Sequence, residues 1–198
     1  MARYIGPKLK ISRRYGMKLG LRSNEEVFTK KPYRPGEHGP KGRRGRISEY
    51  GTQLAEKQKA KYIYGILERQ FRKYYELATK SQNVGLALLQ MLETRLDTVV
   101  YKAGYSITQN QARQFVTHGH VQVNGKKVSI PSFQVIPGMI ITLDPALVTM
   151  IEEQRTSTSE FPAWLSKEGK GVQFLAQPTR EQIPSLLDEK LIVEFYSR

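Results

Sequence analysis

The first 46 residues limit most sharply what this chain can fold into. They hold fourteen Lys/Arg against Glu25, Glu26 and Glu37, together with seven glycines and four prolines. A stretch so charged and so poor in apolar residues cannot bury enough surface to offset its chain entropy. It is expected to be an irregular basic arm, ordered by whatever it binds. The arm carries +11 of a total formal charge of +14, and the other 152 residues carry only +3. A partner with a dense negative charge follows, either nucleic acid or an anionic membrane surface. Within the arm, residues 30–46 (KKPYRPGEHGPKGRRGR) are the densest part. Arginines supply forked phosphate contacts there, and glycines let the backbone come close. Tyr4, Tyr15 and Tyr33 are interleaved with the charge, as suits stacking on bases. The candidate RNA contacts in this region are Arg3, Lys8, Lys10, Arg13, Arg14, Lys41, Arg43, Arg44 and Arg46.

Past residue 47 the pattern becomes helical. Ile63, Leu67, Phe71 and Tyr74 or Tyr75 recur at three to four residues, so residues 48–78 read as helix with Ser48 as N-cap. Gln53, Lys57 and Lys61 lie four apart and are expected to form a basic stripe on the surface, with Arg69 and Arg72 as further candidates. A second apolar helix is expected from Leu86 through Val100, ended by Gly104.

Residues 95–127 then read as two short helices running into a hairpin. Ser106 or Thr108 caps a helix with Ala112, Phe115 and Val116 inward, and Gly119 stops it. Asn124-Gly125 is a strong type I′ signal between Val121/Val123 and a returning strand through Val128 and Ile130. Residues 139–143 should add a strand to the same small sheet. Arg95, Thr108, Gln109, Gln111, Arg113, Gln114, His118, His120, Lys126 and Lys127 are the polar positions of this frame, with Arg113, Gln109 and Gln114 expected on one outward face. Shape and 2′-hydroxyl reading suit such a shallow mixed surface, so RNA is favoured over DNA. Beyond Asp144 the pattern yields a short helix near residues 147–153, a strand at residues 172–175 and an apolar C-terminus that should dock into a core.

Several functions are not expected. The chain has no cysteine, which removes disulfides, thiolate zinc sites and cysteine nucleophiles. His118 and His120 lack a third ligand, Asp97 suits pairing with a neighbour better than proton abstraction, and no nucleophile–base pair stands out. Neither a metal nor a cofactor is expected. No apolar run approaches the roughly 18–20 residues of a membrane span, no secretory leader is apparent, and the arm has no amphipathic helix to insert into a membrane surface.

Blocks along the whole chain resemble the small-subunit ribosomal protein four family, of the bacterial or organellar type. They are RYIGPKLKISRR (3–14), YRPGEHGPKGRR (33–44), QLAEKQKAKYIYGILERQFRKYY (53–75), LETRLDTVVYKAGY (92–105), ARQFVTHGHVQVNGKKVSIPSFQV (112–135), PAWL (162–165) and LIVEFYSR (191–198). The resemblance implies an α+β fold: a basic arm over 1–46, a helical domain from 47–90 plus about 175–198, and an inserted module over 91–174 with its following loop region. It implies a non-enzymatic structural role as a primary binder of small-subunit ribosomal RNA at its 5′ region, in early assembly and decoding fidelity. Its expected partners are that RNA, neighbouring small-subunit ribosomal proteins, and messenger RNA near the channel where it enters the subunit; its expected location is the cytoplasmic or organellar ribosome. Pseudouridine synthases and some aminoacyl-tRNA synthetases share the module, but they need a catalytic domain for which no residues remain. Many family members carry a cysteine zinc site in the arm, which this chain lacks. The position of Gln109 is commonly arginine in the family, which implies that one phosphate contact is weaker here or is replaced by an amide hydrogen bond.

Overall fold

A computed structural model of the chain describes residues 4–17, 19, 30–40, 48–154, 161–169, 171–183 and 186–198. Among them lie eight helices and a five-stranded antiparallel sheet. The helices are α1 (Lys8–Tyr15), α2 (Glu49–Ile63), α3 (Glu68–Ala78), α4 (Val84–Glu93), α5 (Leu96–Lys102), α6 (Gln109–Thr117), α7 (Pro145–Gln154) and α8 (Glu189–Ser197). The strands are β1 (Val121–Val123), β2 (Lys126–Lys127), β3 (Ile140–Leu143), β4 (Leu165–Glu168) and β5 (Gly171–Phe174), in sheet order β2-β1-β3-β5-β4.

Two apolar cores organise these elements. Phe71, Tyr74, Leu88, Leu89, Leu92 and Ile192 centre the first, formed by α2, α3, α4 and α8. Leu96, Val99, Val116, Val121, Ile141, Trp164 and Phe174 centre the second, formed by α5, α6, α7 and the sheet. The C-terminal helix joins the first core, as its apolar sequence requires. Asp188 caps it by accepting from the Lys190 amide at 3.0 Å, and Tyr196 stacks on Tyr75 with ring centroids 4.6 Å apart.

The helices are shorter than their periodicity suggests. The expected helix over residues 48–78 breaks at Gly65, whose φ is +61°. The amides of Gly65 and Ile66 there bond back to the carbonyls of Tyr62 and Lys61, which closes α2 with a left-handed cap. Ile66 is buried in the gap while Leu67 stays 38 % exposed, so Leu67 does not share the apolar face with Phe71. The second expected helix breaks at Thr94–Arg95. Val135 donates its amide to the Thr94 carbonyl and Leu96 to that of Phe133, so a loop from the sheet occupies the break. These bonds tie the two cores together.

In the sheet, β2 ends at Lys127 and Ile130 is 53 % exposed, because Pro131 follows and Phe133 turns back on the Ile130 carbonyl. Strand β4 has no sequence signal: LSKE is polar and its outer residues Lys167 and Glu168 are exposed. It is held by antiparallel pairing to β5, from Leu165–Phe174 to Glu168–Gly171. Residues 165–168 and 171–174 therefore belong to the sheet.

Candidate nucleic-acid interface

The best-formed polar surface lies where α6 meets the β1–β2 hairpin. Thr108 begins α6 by accepting the Gln111 amide on its hydroxyl at 3.3 Å, and the Gln111 side chain accepts the Ile107 amide at 2.8 Å. This is close to a reciprocal capping box, so both side chains are engaged by backbone. The helix ends with the Gly119 amide bonding to Val116 and the His120 amide to Phe115, with Gly119 at φ +76°. A left-handed residue at that position favours glycine. A Cβ on Gly119 would lie 2.7 Å from Lys127 Cε, so the Lys127 stem crosses directly over the turn and would have to shift aside. Asn124 and Gly125 both have positive φ, as a type I′ turn demands. The Asn124 side chain accepts the Ile140 amide at 2.8 Å and fixes the hairpin to β3.

This frame leaves Gln114, His118, Lys126 and Lys127 exposed and His120 half-buried. His118 and His120 have ring centroids 6.3 Å apart, and His120 Nδ1 is 3.8 Å from the Asp144 carboxylate. Among the described residues no three His, Asp or Glu side chains gather as a metal site would require. Sequence reading passed over Gln122 and Asn124, which are also exposed on the hairpin. The period-two alternation of β1 was the signal that turns Gln122 outward.

The single outward face expected for Arg113, Gln109 and Gln114 is corrected by burial. Gln114 is exposed, but Arg113 is 8 % and Gln109 5 % exposed, and Arg95 is 1 % exposed. Asp97 explains the two arginines. Its carboxylate accepts from Arg95 Nε at 3.0 Å and a terminal nitrogen at 2.7 Å, from Arg113 at 3.1 Å, and from the Thr98 amide at 3.1 Å. Arg95 also donates to the Tyr74 hydroxyl at 2.7 Å, so the network runs from α3 through α5 to α6. Burial works against the charge on Arg95, yet the neighbouring Asp97 wins and its pKa is raised. Gln109 donates to the Thr98 hydroxyl at 3.1 Å, an internal bond in place of the expected amide contact to RNA. These three side chains build the module's frame.

The stripe expected on α2 is corrected in the same way. Gln53 is 1 % and Lys57 4 % exposed, because α8 covers them. Gln53 donates to Glu194 at 3.0 Å, while Lys57 reaches Glu68 at 2.9 Å and lies 4.6 Å from the Phe195 ring centroid. Lys61 is half-buried and 3.4 Å from the same Glu68 carboxylate. Burial opposes ionisation of Glu68, but hydrogen bonds from Lys57 and Tyr196 outweigh it and lower its pKa. The exposed cations of this region lie instead on α3: Arg69, Arg72 paired with Glu76 at 3.2 Å, and Lys73, which stands one turn from Arg69 and was missed.

In the arm, α1 is docked on α2. Ile11 and Leu19 are buried against Tyr62 and Ile63, and Tyr4 meets Tyr62 edge-on at 5.4 Å. Burial pushes the Tyr15 phenol up to about 12. Tyr4 and Tyr15 thus serve the docking of α1, whatever else they touch. Lys10 and Arg14 are exposed and Lys8 and Arg13 half-buried. Arg3, Lys41, Arg43, Arg44 and Arg46 lie outside the described residues.

Comparison with known proteins covers the whole chain. Residues 3–93 match the family described as ribosomal protein S4/S9 N-terminal domain, and residues 94–141 match the S4 domain. The small ribosomal subunit protein uS4 of Dictyoglomus thermophilum is 47 % identical over an alignment of 208 residues that covers 100 % of both chains. The proteins of the same name from Roseiflexus castenholzii and Chlorobium limicola are each 45 % identical, again over 100 % of both chains.

Proposed function

Since the chain belongs to the small ribosomal subunit protein uS4 family, whose members are structural constituents of the ribosome and not enzymes, we propose that it is a primary binder of small-subunit ribosomal RNA. In this reading it folds the 5′ region of that RNA early in assembly. In the finished subunit it sits among neighbouring ribosomal proteins beside the channel where messenger RNA enters, and contributes to decoding fidelity in cytoplasmic ribosomes of bacterial type.

The observation that carries the reading is the set of exposed polar side chains Gln114, His118, Lys126 and Lys127 on α6, its C-terminal end and the β1–β2 hairpin, backed by a buried arginine–aspartate frame. Amides and imidazoles there can meet sugar hydroxyls and base edges, while lysines supply point charges to phosphates. The exposed cations Lys10, Arg14, Arg69 and Lys73 extend the positive field around it. Affinity then comes chiefly from counterion release, and selectivity from the fit of a stiff surface to a folded RNA.

The test is co-sedimentation of the tagged chain with small subunits in the host's own lysate. The protein should stay with the subunit through washes up to physiological salt and be released as the salt is raised toward molar, as binding driven by counterion release requires. A chain that washes off at low salt, or that travels only in the free-protein fractions, contradicts the assignment.

A further inference from the structure

Among the described residues of the arm, Arg13 has its side chain turned toward the protein's own backbone. Arg13, near the end of α1, donates through Nε to the Tyr33 carbonyl at 3.0 Å and through a terminal nitrogen to the Arg34 carbonyl at 3.4 Å. Its guanidinium carbon also lies 5.1 Å from the centroid of the Tyr33 ring. A planar fork can satisfy two successive carbonyls and lie against an aromatic ring at once, and a lysine cannot.

The segment Arg13 holds is itself a folded turn. The Gly39 amide donates to the Gly36 carbonyl at 3.1 Å. A side chain on Gly39 would run into the Arg34 carbonyl, the oxygen that also receives Arg13. Arg13 in turn rests on a fixed base, because Ile11 and Leu19 anchor α1 to Tyr62 and Ile63 of α2. A continuous chain of contacts therefore runs from the helical core through α1 and Arg13 to residues 33–39. The next residues in sequence, 41–46, hold Lys41, Arg43, Arg44 and Arg46.

On the premise that the chain binds ribosomal RNA, we infer that Arg13 is a positioning residue: it latches Tyr33 and Arg34 to α1 and so fixes the segment that presents the exposed cations Lys31 and Arg34. Arg13 directs its Nε and one terminal nitrogen to backbone carbonyls, and its contribution to RNA affinity passes through the placement of the segment it holds. Fixing residues 33–39 before binding lowers the entropy lost when this segment settles on RNA.

The experiment is a double-mutant cycle with the full-length chain and a 5′-region fragment of small-subunit ribosomal RNA. Arg13→Ala, Arg13→Lys, Tyr33→Ser and Arg13→Ala/Tyr33→Ser are compared for affinity and salt dependence. Arg13→Ala and Arg13→Lys should each weaken binding on the order of tenfold, the size of one charge-assisted bond. The double variant should be no weaker than the worse single one, and the log–log salt slope should keep its wild-type value. In the free protein, amide exchange at residues 36–39 should speed up in Arg13→Ala while α2 and α3 keep their protection. If Arg13 is simply a phosphate contact, Arg13→Lys retains most affinity, Arg13→Ala lowers the slope by about 0.7–0.9, losses in the cycle add, and exchange at 36–39 is unchanged; that pattern overturns the latch. The exchange measurement needs no RNA, so it tests the latch separately from the RNA-binding premise, which fails only if the wild-type chain does not bind the fragment.

Discussion

Removing the Asp97 carboxylate should be among the most damaging single changes available in this molecule. Asp97 is 1 % exposed and accepts four hydrogen bonds, two from Arg95, one from Arg113 and one from the Thr98 amide. In Asp97→Ala the Arg95 guanidinium, 1 % exposed, keeps only the Tyr74 hydroxyl among these partners, and a second guanidinium faces it without the intervening negative charge. Breaking a buried pair in this way costs about 3–5 kcal/mol, because a charge remains desolvated without compensation. Against a total stability of about 5–15 kcal/mol this is a large share. At roughly 2–4 °C per kcal/mol for a chain of this size, Tm should fall by about 6–20 °C. The comparison is Arg72→Ala, which breaks a pair whose side chains are 71 % and 62 % exposed and should cost less than about 0.5 kcal/mol. Denaturant unfolding followed by circular dichroism reads both. A loss below about 1 kcal/mol for Asp97→Ala, similar to Arg72→Ala, would refute the claim that this network is desolvated.

Gly119→Ala should destabilise by about 1–2 kcal/mol through its left-handed φ and should also displace Lys127, so RNA affinity drops even at temperatures where the variant is folded. Glu93 is buried and its carboxyl is held above the ordinary value of 4.5, first by desolvation, with Lys102 and the Tyr64 hydroxyl bond opposing. Its native form therefore holds a proton more tightly than the unfolded chain, and the stability this gives is present at low pH and lost as pH rises above 4.5 through the native pKa. Glu93→Gln should remove that decline, so that the stability difference between variant and wild type grows toward neutral pH in melts taken across this range. Lys126→Gln and Lys127→Gln should change stability by no more than about 0.5 kcal/mol and weaken binding to all RNA sequences alike, each lowering the salt slope by about 0.7–0.9.

Features set by neighbouring residues were legible in the sequence. Asn124-Gly125 specified its turn because only a few residue pairs tolerate two positive φ values. Thr108 and Gly119 marked the ends of α6 by the chemistry of caps. The apolar C-terminus had to find a core, and α8 does. What could not be read was the fate of polar residues whose partners lie far along the chain. Lys57 looks like a surface lysine until Glu68 and the rings of α8 enclose it. Arg113 looks like a phosphate contact until Asp97, sixteen residues earlier, claims it. Position on a helix gave these residues a side, but only the packing of α8, α5 and α6 decided whether that side was wet. Strand β4 failed for a related reason: its order comes from pairing with β5, while its own polar residues carry no strand signal.

In the proposed function, exposed cations meet phosphates around an internally paired frame. The most direct measurement is the affinity of the full-length chain for a 5′-region fragment of small-subunit ribosomal RNA across a series of salt concentrations. The log–log plot should be linear and steep, falling by about 0.7–0.9 per phosphate neutralised, with a slope unchanged in Gln109→Ala, whose side chain is spent on Thr98. A flat dependence on salt would contradict it.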